Sequence, residues 1–317
     1  MSYLKKVCDS VTHLPMFRAD DNAAIYARHL VTATLQELFR FEYRKTKWAS
    51  GELISIATNI DAGAREVSWM EIGNTGAAGI VADNANDIPT ADLEGDLSIN
   101  KAYTVATAIQ YSTQDIRQSR LQGLFDIAGE KAQAAREAHD RRIDELIRLG
   151  DVPRAITGIT AVSGSYDITA TTGAWGTTAT PAQINSDFQV AWDAIFTGSQ
   201  GVEEPDTCVM PSTVWGRVNS LQNSVASDAT VLDFLKRSHP GVTLWTVDAG
   251  LDAAGTAGVP AVMLYSRDRT RVRAMMPMAM RPLPLEQHGL VMKMVFESRY
   301  AGLAVPRPRS IAKISGV

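Results

Sequence analysis

The sequence predicts an α+β fold in which β-strands and a separate α/β unit are organised around one long helix. Three observations predict it. Residues Leu124 to Leu149 contain no proline and one interior glycine, Gly129. A helix over that stretch would be about 39 Å long, where helices in compact enzymes average about three turns. Ahead of it, two alternating apolar–polar stretches flank a polar tip, the pattern of a protruding β-hairpin. After it, helix and strand patterns alternate from 181 to 265, as in an α/β subdomain. A helix of this length in a chain without a visible catalytic motif reads as a scaffold.

Residues 1–20 lack periodicity and read as an extended arm. Asp20 or Asp21 is placed to cap a helix with apolar positions at Ile25, Leu30, Leu35 and Leu38. Arg40, Arg44, Lys45 and Lys47 form a basic cluster, which a solvated helix end accounts for through the helix dipole. Leu53 to Ile60 alternates as a strand, Asp61-Ala62-Gly63 is a turn, and Val67 to Ile72 resumes the β pattern. Gly73, Gly76 and Gly79 punctuate a run of small residues leading to Ile80-Val81-Ala82. Asp83, Asn84, Asn86, Asp87 and Pro89 follow as a polar tip, and alternation returns from Leu97 through Tyr103, Val105 and Ile109. Such a hairpin is marginal alone and needs a packing partner, plausibly on another copy of the chain.

Ser112, Thr113 and Gln114 read as a turn before the long helix. Within the helix, Glu137 with Arg141 and Asp144 with Arg148 set an acid four residues ahead of a base. Ala128, Ala132, Ala134, Ala135 and Ala138 permit close approach by a sheet lying across the helix, and Gly150 is its stop. Residues 151–180, rich in Gly, Thr and Ser, read as a loop or small irregular hairpin. Thr180-Pro181 opens a helix with Ile184, Phe188, Ala191 and Ile195 on one face. Thr207 to Met210 is a short buried strand. Short helices are expected around Val214–Leu221 and Val231–Lys236, and strands at Val242–Val247 and Val259–Tyr265. The end is β-rich: Val272–Met276, Leu290–Phe296, Leu303–Val305 and Ser310–Ile314.

Composition narrows the function. The chain has 317 residues, 45% of them hydrophobic, enough for a sizeable core. Its 31 basic and 35 acidic residues give a net charge of −4, which argues against a freestanding nucleic-acid binder but not against a protein that encloses nucleic acid. Cys8 and Cys208 are too few for a disulfide framework or a zinc site, and a cytosolic site of synthesis is the simpler expectation. The N-terminus lacks a secretory pattern, and no apolar run is long enough to span a membrane.

The search for chemistry returns no catalytic, cofactor-binding or metal-ligating residues. His13, His29, His139, His239 and His288 are scattered, and none forms a two-histidine zinc motif. The spacing of Gly73, Gly76 and Gly79 is not the dinucleotide fingerprint, and no phosphate-binding loop or nucleophile elbow is present. Asp83, Asp87, Asp92, Glu94 and Asp96 do not match a calcium loop and read as a solvated tip. Met275, Met276, Met278, Met280, Met292 and Met294 read as core or subunit-contact packing.

The order of arm, protruding hairpin, long helix, α/β subdomain and β-rich return resembles the major capsid proteins of tailed bacteriophages, with the Hong Kong 97 type fold. Ile80-Val81-Ala82-Asp83 and Asp87-Ile88-Pro89 look like the hairpin of one branch of that family. Gly201-Val202-Glu203-Glu204-Pro205-Asp206-Thr207, followed by Pro211, is similar to that branch's approach to the axial subdomain. Tyr265-Ser266-Arg267-Asp268 and Pro282-Leu283-Pro284 look like its return segment. The resemblance covers about residues 50–315.

The resemblance implies an N-terminal arm over 1–50, reaching over a neighbouring subunit, and a peripheral-domain strand over 51–65. It implies an extended loop over 66–111 lying on the next subunit, with Ile80, Val81, Asp83, Asp87, Ile88 and Pro89 as inter-subunit contacts. It further implies a peripheral domain over 112–180 with a spine helix at 124–149, an axial domain over 181–280, and a return to the peripheral domain over 281–317. The implied function is structural. Copies assemble as pentamers and hexamers into an icosahedral phage head enclosing double-stranded DNA, in the host cytoplasm and then the virion, without a cofactor or a membrane. The chain begins at Met1 with no long helical pre-segment, so a separate scaffolding protein is implied beside the portal, with an outer cement protein left open. Lys101 and several asparagines exist, but no motif selects a cross-linking pair. Two other readings stand beside this one: an encapsulin-like nanocompartment shell, and a soluble α/β enzyme with a site in 181–265.

Overall fold

The computed structural model describes residues 44–80, 89–122, 127–171, 173–224 and 227–317. The helix expected after Asp20, the cluster residue Arg40, and Cys8 lie outside them. Along the described chain, β1 (Ser55–Ala57) precedes β2 (Glu66–Gly76), β3 (Ala91–Lys101) and β4 (Tyr103–Ser112). Two helices follow, α1 (Thr113–Gln122) and α2 (Ile127–Arg148). After the short strands β5 (Gly150–Asp151), β6 (Ile156–Thr157) and β7 (Tyr166–Thr169) come α3 (Pro181–Gly198), β8 (Thr207–Met210) and α4 (Ser212–Ser220). Next are β9 (Gln222–Ser224), β10 (Ser227–Thr230), α5 (Val231–Ser238), β11 (Leu244–Val247) and β12 (Ala261–Tyr265). The chain ends through β13 (Arg273–Met275), β14 (Met278–Pro282), β15 (Glu286–His288), β16 (Val291–Tyr300), β17 (Leu303–Ala304) and β18 (Ile311–Ser315).

The α/β part is built on a five-stranded sheet in the order β11-β8-β12-β18-β7. Its strands are covered on both sides, and alternation sorts their side chains between two cores. Cys208, Met210, Val262, Leu264, Ala312 and Ile314 face helices α3, α4 and α5, where Ile184, Phe188, Ala191 and Ile195 fill the interior. Val209, Met263, Tyr265 and Ile311 face the other way, onto Trp48, Leu53 and Ile54 and the end of α2 at Ile143, Leu146 and Ile147. Thr180 begins α3 with a capping box: its side chain takes the Gln183 amide while the Gln183 side chain takes the Thr180 amide. The sheet also recruits β7 and β18, from 166–169 and 311–315, so it draws on segments far outside 181–280.

The second sheet centres on β16, which pairs along its whole length with β4, from Val291↔Ser112 to Tyr300↔Tyr103. Strands β14 and β15 pair with β16 as well. Helix α2 lies across this sheet on its alanine side: Ala128, Ala132 and Ala135 meet Ile109, Tyr111, Met292, Met294 and Phe296. The small side chains let the helix seat closely, as the alanine run predicts.

Two local expectations are corrected. The ribbon expected over 66–111 ends at Lys101, because 103–112 finds a better partner almost two hundred residues away, in β16. Ser112 to Gln114 is not a turn but the start of α1; the Ser112 hydroxyl takes the Asp115 amide and the Asp115 carboxylate takes the Ser112 amide, a reciprocal cap. The long helix is described from Ile127 to Arg148, about 33 Å at the standard rise, and residues 124–126 of its expected start lie outside the described residues. It stops where Gly150 adopts φ +79 and packs against Gly158: a Cβ on Gly150 would lie 2.2 Å from the Ile156 carbonyl oxygen, and one on Gly158 2.3 Å from the Leu149 carbonyl carbon.

Candidate subunit-contact surface

Strands β2 and β3 form a two-stranded ribbon in continuous antiparallel register from Glu66↔Lys101 to Gly76↔Ala91. Residues opposite one another share a face. One face therefore carries Met70, Ile72, Leu93, Leu97 and Ile99, and the other carries Glu71, Asp92, Glu94 and Asp96. Among the described residues, the root of the acidic face is anchored: Val67 and Trp69 pack with Ile60 and Ala102 on Met275, Ala301 and Ala304. Beside them, the Asn100 amide donates to the Leu303 carbonyl at 2.8 Å. The apolar face is bare, with Met70 66%, Ile72 65%, Leu93 68%, Leu97 54% and Ile99 54% exposed. An aligned apolar row on a surface strand pair is the mark of an interface or of an aggregation hazard.

Of the six contact residues expected from sequence, Ile80 and Pro89 are described and both are exposed, next to the ribbon's end. Val81, Asp83, Asp87 and Ile88 lie outside the described residues. The five apolar residues of the ribbon face went unnoticed at the sequence level. Their signal was present, since Leu93, Leu97 and Ile99 interleave with Glu94, Asp96 and Ser98. Alternation alone, however, does not say whether the apolar face turns inward.

A second surface lies beside α2. Ala132, Gln133, Arg136, Glu137 and Asp140 from the helix, with Met280, Pro282 and Phe296 from the sheet, line an open groove of about 640 Å³. The sheet is three strands wide there, about 14 Å, whereas one helix covers about 10 Å. Helix α2 packs its alanine side on side chains of β4 and β16, and β14 contributes Met280 and Pro282 to the groove.

The remaining candidates for chemistry resolve into structure. His139 Nε2 lies 2.5 Å from Ser298 Oγ, and His139 Nδ1 is 3.5 Å from Asp140 Oδ1. The arrangement looks like a catalytic triad, but Ser298 is fully buried and offers no substrate a path, so the bond ties α2 to β16. Burial pushes the Cys208 thiol far above its usual range, which makes it inert. Near the C-terminal end of α2, Trp48 donates its backbone amide to Asp144 at 2.9 Å and its indole N–H to Asp248 at 2.8 Å. Arg148 reaches both carboxylates, at 3.2 and 3.4 Å. The other expected helical pair takes a different form: Arg141 Nε donates to the Glu137 backbone carbonyl, and the Glu137 carboxylate accepts from Gln133. Among the described residues, no group of three His, Cys, Asp or Glu is placed to hold a metal ion, and no helix is long and apolar enough to cross a membrane.

Residues 76–317 match the family described as major capsid protein. The chain belongs to that family. No curated protein matches it in sequence. Among solved structures, it is similar to a chain from the capsid of Myoviridae phage XM1, at 19% identity and a TM-score of 0.80, over 92% of this chain and 98% of that one. A chain from Mycobacterium phage Bobi superposes with a TM-score of 0.67 at 15% identity, over 92% and 97%. One from a virus-like particle of Pyrococcus furiosus does so at 0.56 and 11%, over 83% and 91%. At these identities the likeness is one of fold, and the fold is the Hong Kong 97 type. A major capsid protein is a structural component of a virion, works as many copies in a shell, and belongs to no enzyme class.

Proposed function

We propose that this major capsid protein assembles as pentamers and hexamers into the closed icosahedral head of a tailed phage and encloses double-stranded DNA there. In this reading a separate scaffolding protein guides assembly in the host cytoplasm, a portal occupies one vertex, and the subunit performs no catalysis. The segment before residue 50 reaches over one neighbour, and the ribbon lies on the next. Helix α2 is the spine of the peripheral domain, and the five-stranded sheet with α3 to α5 forms the body of the axial domain.

The observation that carries the reading is the ribbon. A subunit that worked alone would bury or break an apolar row of five large side chains, whereas one that completes its packing in an assembly must leave such a row bare. Contacts of this kind are individually modest and become decisive through repetition in a closed, symmetric array. The net charge of −4 suits a wall that contains DNA without gripping it.

The test is expression of the chain alone and with its neighbouring genes, followed by negative-stain electron microscopy. Closed shells, or tubes of ordered rings, are expected. Small uniform particles in both samples would refute the reading.

A further inference from the structure

We infer that the ribbon is an ionic strap for its own subunit: it bends at Gly73 and Gly95 and lays its acidic face on a platform of arginines carried by residues 269–273 and 307–309. The closed form belongs to the unassembled chain.

Three observations carry it. The first is the platform. Arg269 and Arg271 precede β13, Arg273 begins it, and Arg307 and Arg309 follow β17. Buried Glu203 clasps the two segments together: it accepts from Arg271 Nε and, at 2.6 Å, from Arg307 Nη1. Arg271 also donates to Asp268 at 2.9 Å. Both of these carboxylates are engaged within the platform. Arg269 and Arg309 are exposed and make no ion pair among the described residues, and Arg273 Nε is buried without a hydrogen-bond partner there. In a chain of net charge −4 this is a local excess of positive charge.

The second is what faces it. Val67 and Trp69 pack on the body, so the ribbon face they share with Glu71, Asp92, Glu94 and Asp96 is the one turned inward. Beyond the root that face stands off. An open cleft of about 840 Å³ has Glu71, Glu94 and Asp96 on one wall and Thr270, Pro306 and Arg307 on the other. Among the described residues no ion pair crosses it, so opposite charges meet through water. Such attraction reaches about 10 Å at about 0.1 M salt and about 3 Å at about 1 M.

The third is the joint. Gly73 pairs with Glu94 and Gly95 with Ile72, which sets two glycines in adjacent cross-strand pairs midway along the ribbon. The observed conformation requires neither. Their φ angles are not left-handed, and a Cβ would meet nothing nearer than 3.9 Å at Gly73 or 3.7 Å at Gly95. At Gly76, by contrast, a Cβ would lie 2.7 Å from Ala91. Glycine inside a strand weakens it and marks a bend or a close backbone approach. A bend toward the acidic face carries Asp92 and Glu94 onto the arginines and leaves the ribbon's length unchanged. An arm closed on its own body is withheld from a neighbour; that consequence alone rests on the shell reading above.

The experiment places spin labels at Thr75→Cys on the outer ribbon and Thr270→Cys on the far wall of the cleft, in the full chain carrying Cys8→Ser. Both threonines are exposed and uncharged, and Cys208 is fully buried and stays unlabelled. Pulsed electron resonance measures the label–label distance in the unassembled subunit at about 0.1 M and about 1 M salt. The expected result is a short-distance population at low salt that falls by about half or more at high salt. It should be lost when Asp92→Asn and Glu94→Gln are combined, and lost again when Gly73→Val and Gly95→Val are combined, with an unchanged circular dichroism spectrum in each case. A single distance that ignores salt, or a short population that survives either pair of substitutions, would overturn the strap. Should a variant fail to fold, the salt comparison on the labelled parent decides alone. No shell forms in this assay, so a missing short population refutes the strap and leaves the shell reading standing, whereas absent shells leave the strap standing.

Discussion

Replacing Met70 and Leu97 together by aspartate isolates the ribbon face. The two residues are cross-strand partners, 66% and 54% exposed, and neither belongs to a core of the chain. Taking about 200 Å² for a fully exposed aliphatic residue, the pair presents roughly 240 Å² of surface, worth about 6 kcal/mol of gross apolar transfer if an assembled neighbour covers it. Ordering costs and imperfect closure consume part of that, and about 3 kcal/mol is a conservative share to survive. Two carboxylates forced into the contact add to the loss. Since about 1.4 kcal/mol is tenfold, the concentration at which shells appear should rise by more than 100-fold. The isolated subunit should melt within about 0.5 kcal/mol of the unmodified one, because exposed positions carry little folding energy. Light scattering against concentration reads the first quantity and thermal unfolding of the unassembled subunit the second. Shells at unchanged concentration would remove the ribbon from the interface. A subunit that unfolds would put Met70 and Leu97 in an intramolecular core and refute their assignment to a free face.

Other outcomes follow from the interior. His239 is buried against Phe188 and Trp192, and burial holds its pKa below the usual 6.5, against the pull of Asp193. A depressed folded value means its stabilising effect is complete above 6.5 and is lost as pH falls through the lower folded value, so His239→Phe should flatten the decline in melting temperature on the acid side of 6.5. Arg148→Met deprives Asp144 and Asp248 of a shared cation in a buried site and should cost about 3 kcal/mol or more in chemical denaturation, whereas Trp48→Phe, which removes one hydrogen-bond donor, should cost about 1–2 kcal/mol. Gly158→Ala places a methyl group 2.3 Å from the Leu149 carbonyl carbon and should lower the melting temperature by several degrees; an unchanged melt would mean the α2 terminus is looser than the close packing implies.

What the sequence made legible is what local chemistry decides. The Thr180-Pro181 start and the Ile184, Phe188, Ala191 and Ile195 face appear in the structure as read, because a cap and a 3.6-residue period are local signals. The alanine run announced a sheet against α2 for the same reason: helix spacing alone sets which residues share a face. The errors fall where distant segments choose one another. Tyr103 to Ser112 has the same alternation whether it extends a hairpin or enters a sheet with 291–300, and only the partner distinguishes them. Likewise β18 and β7 carry no mark of the sheet they complete. The Trp48, Asp144, Arg148 and Asp248 network spans 200 positions, beyond the reach of any spacing rule. The candidate surface was only partly visible. The hairpin is legible, and four of the six contact residues expected around its tip lie outside the described residues; the apolar face is not legible, since an exposed apolar face and a buried one are written with the same alternation.

The ribbon and the β4–β16 sheet are separated by one residue, Ala102. Strand β3 therefore runs almost without interruption into a strand held to β16 at ten consecutive positions. A neighbour pulling on the ribbon along its axis loads all ten positions in shear at once, instead of peeling them open singly. The ribbon is thus fastened like a tang in a handle, and tension between neighbours would pass into the sheet under the long helix rather than concentrate at a flexible joint.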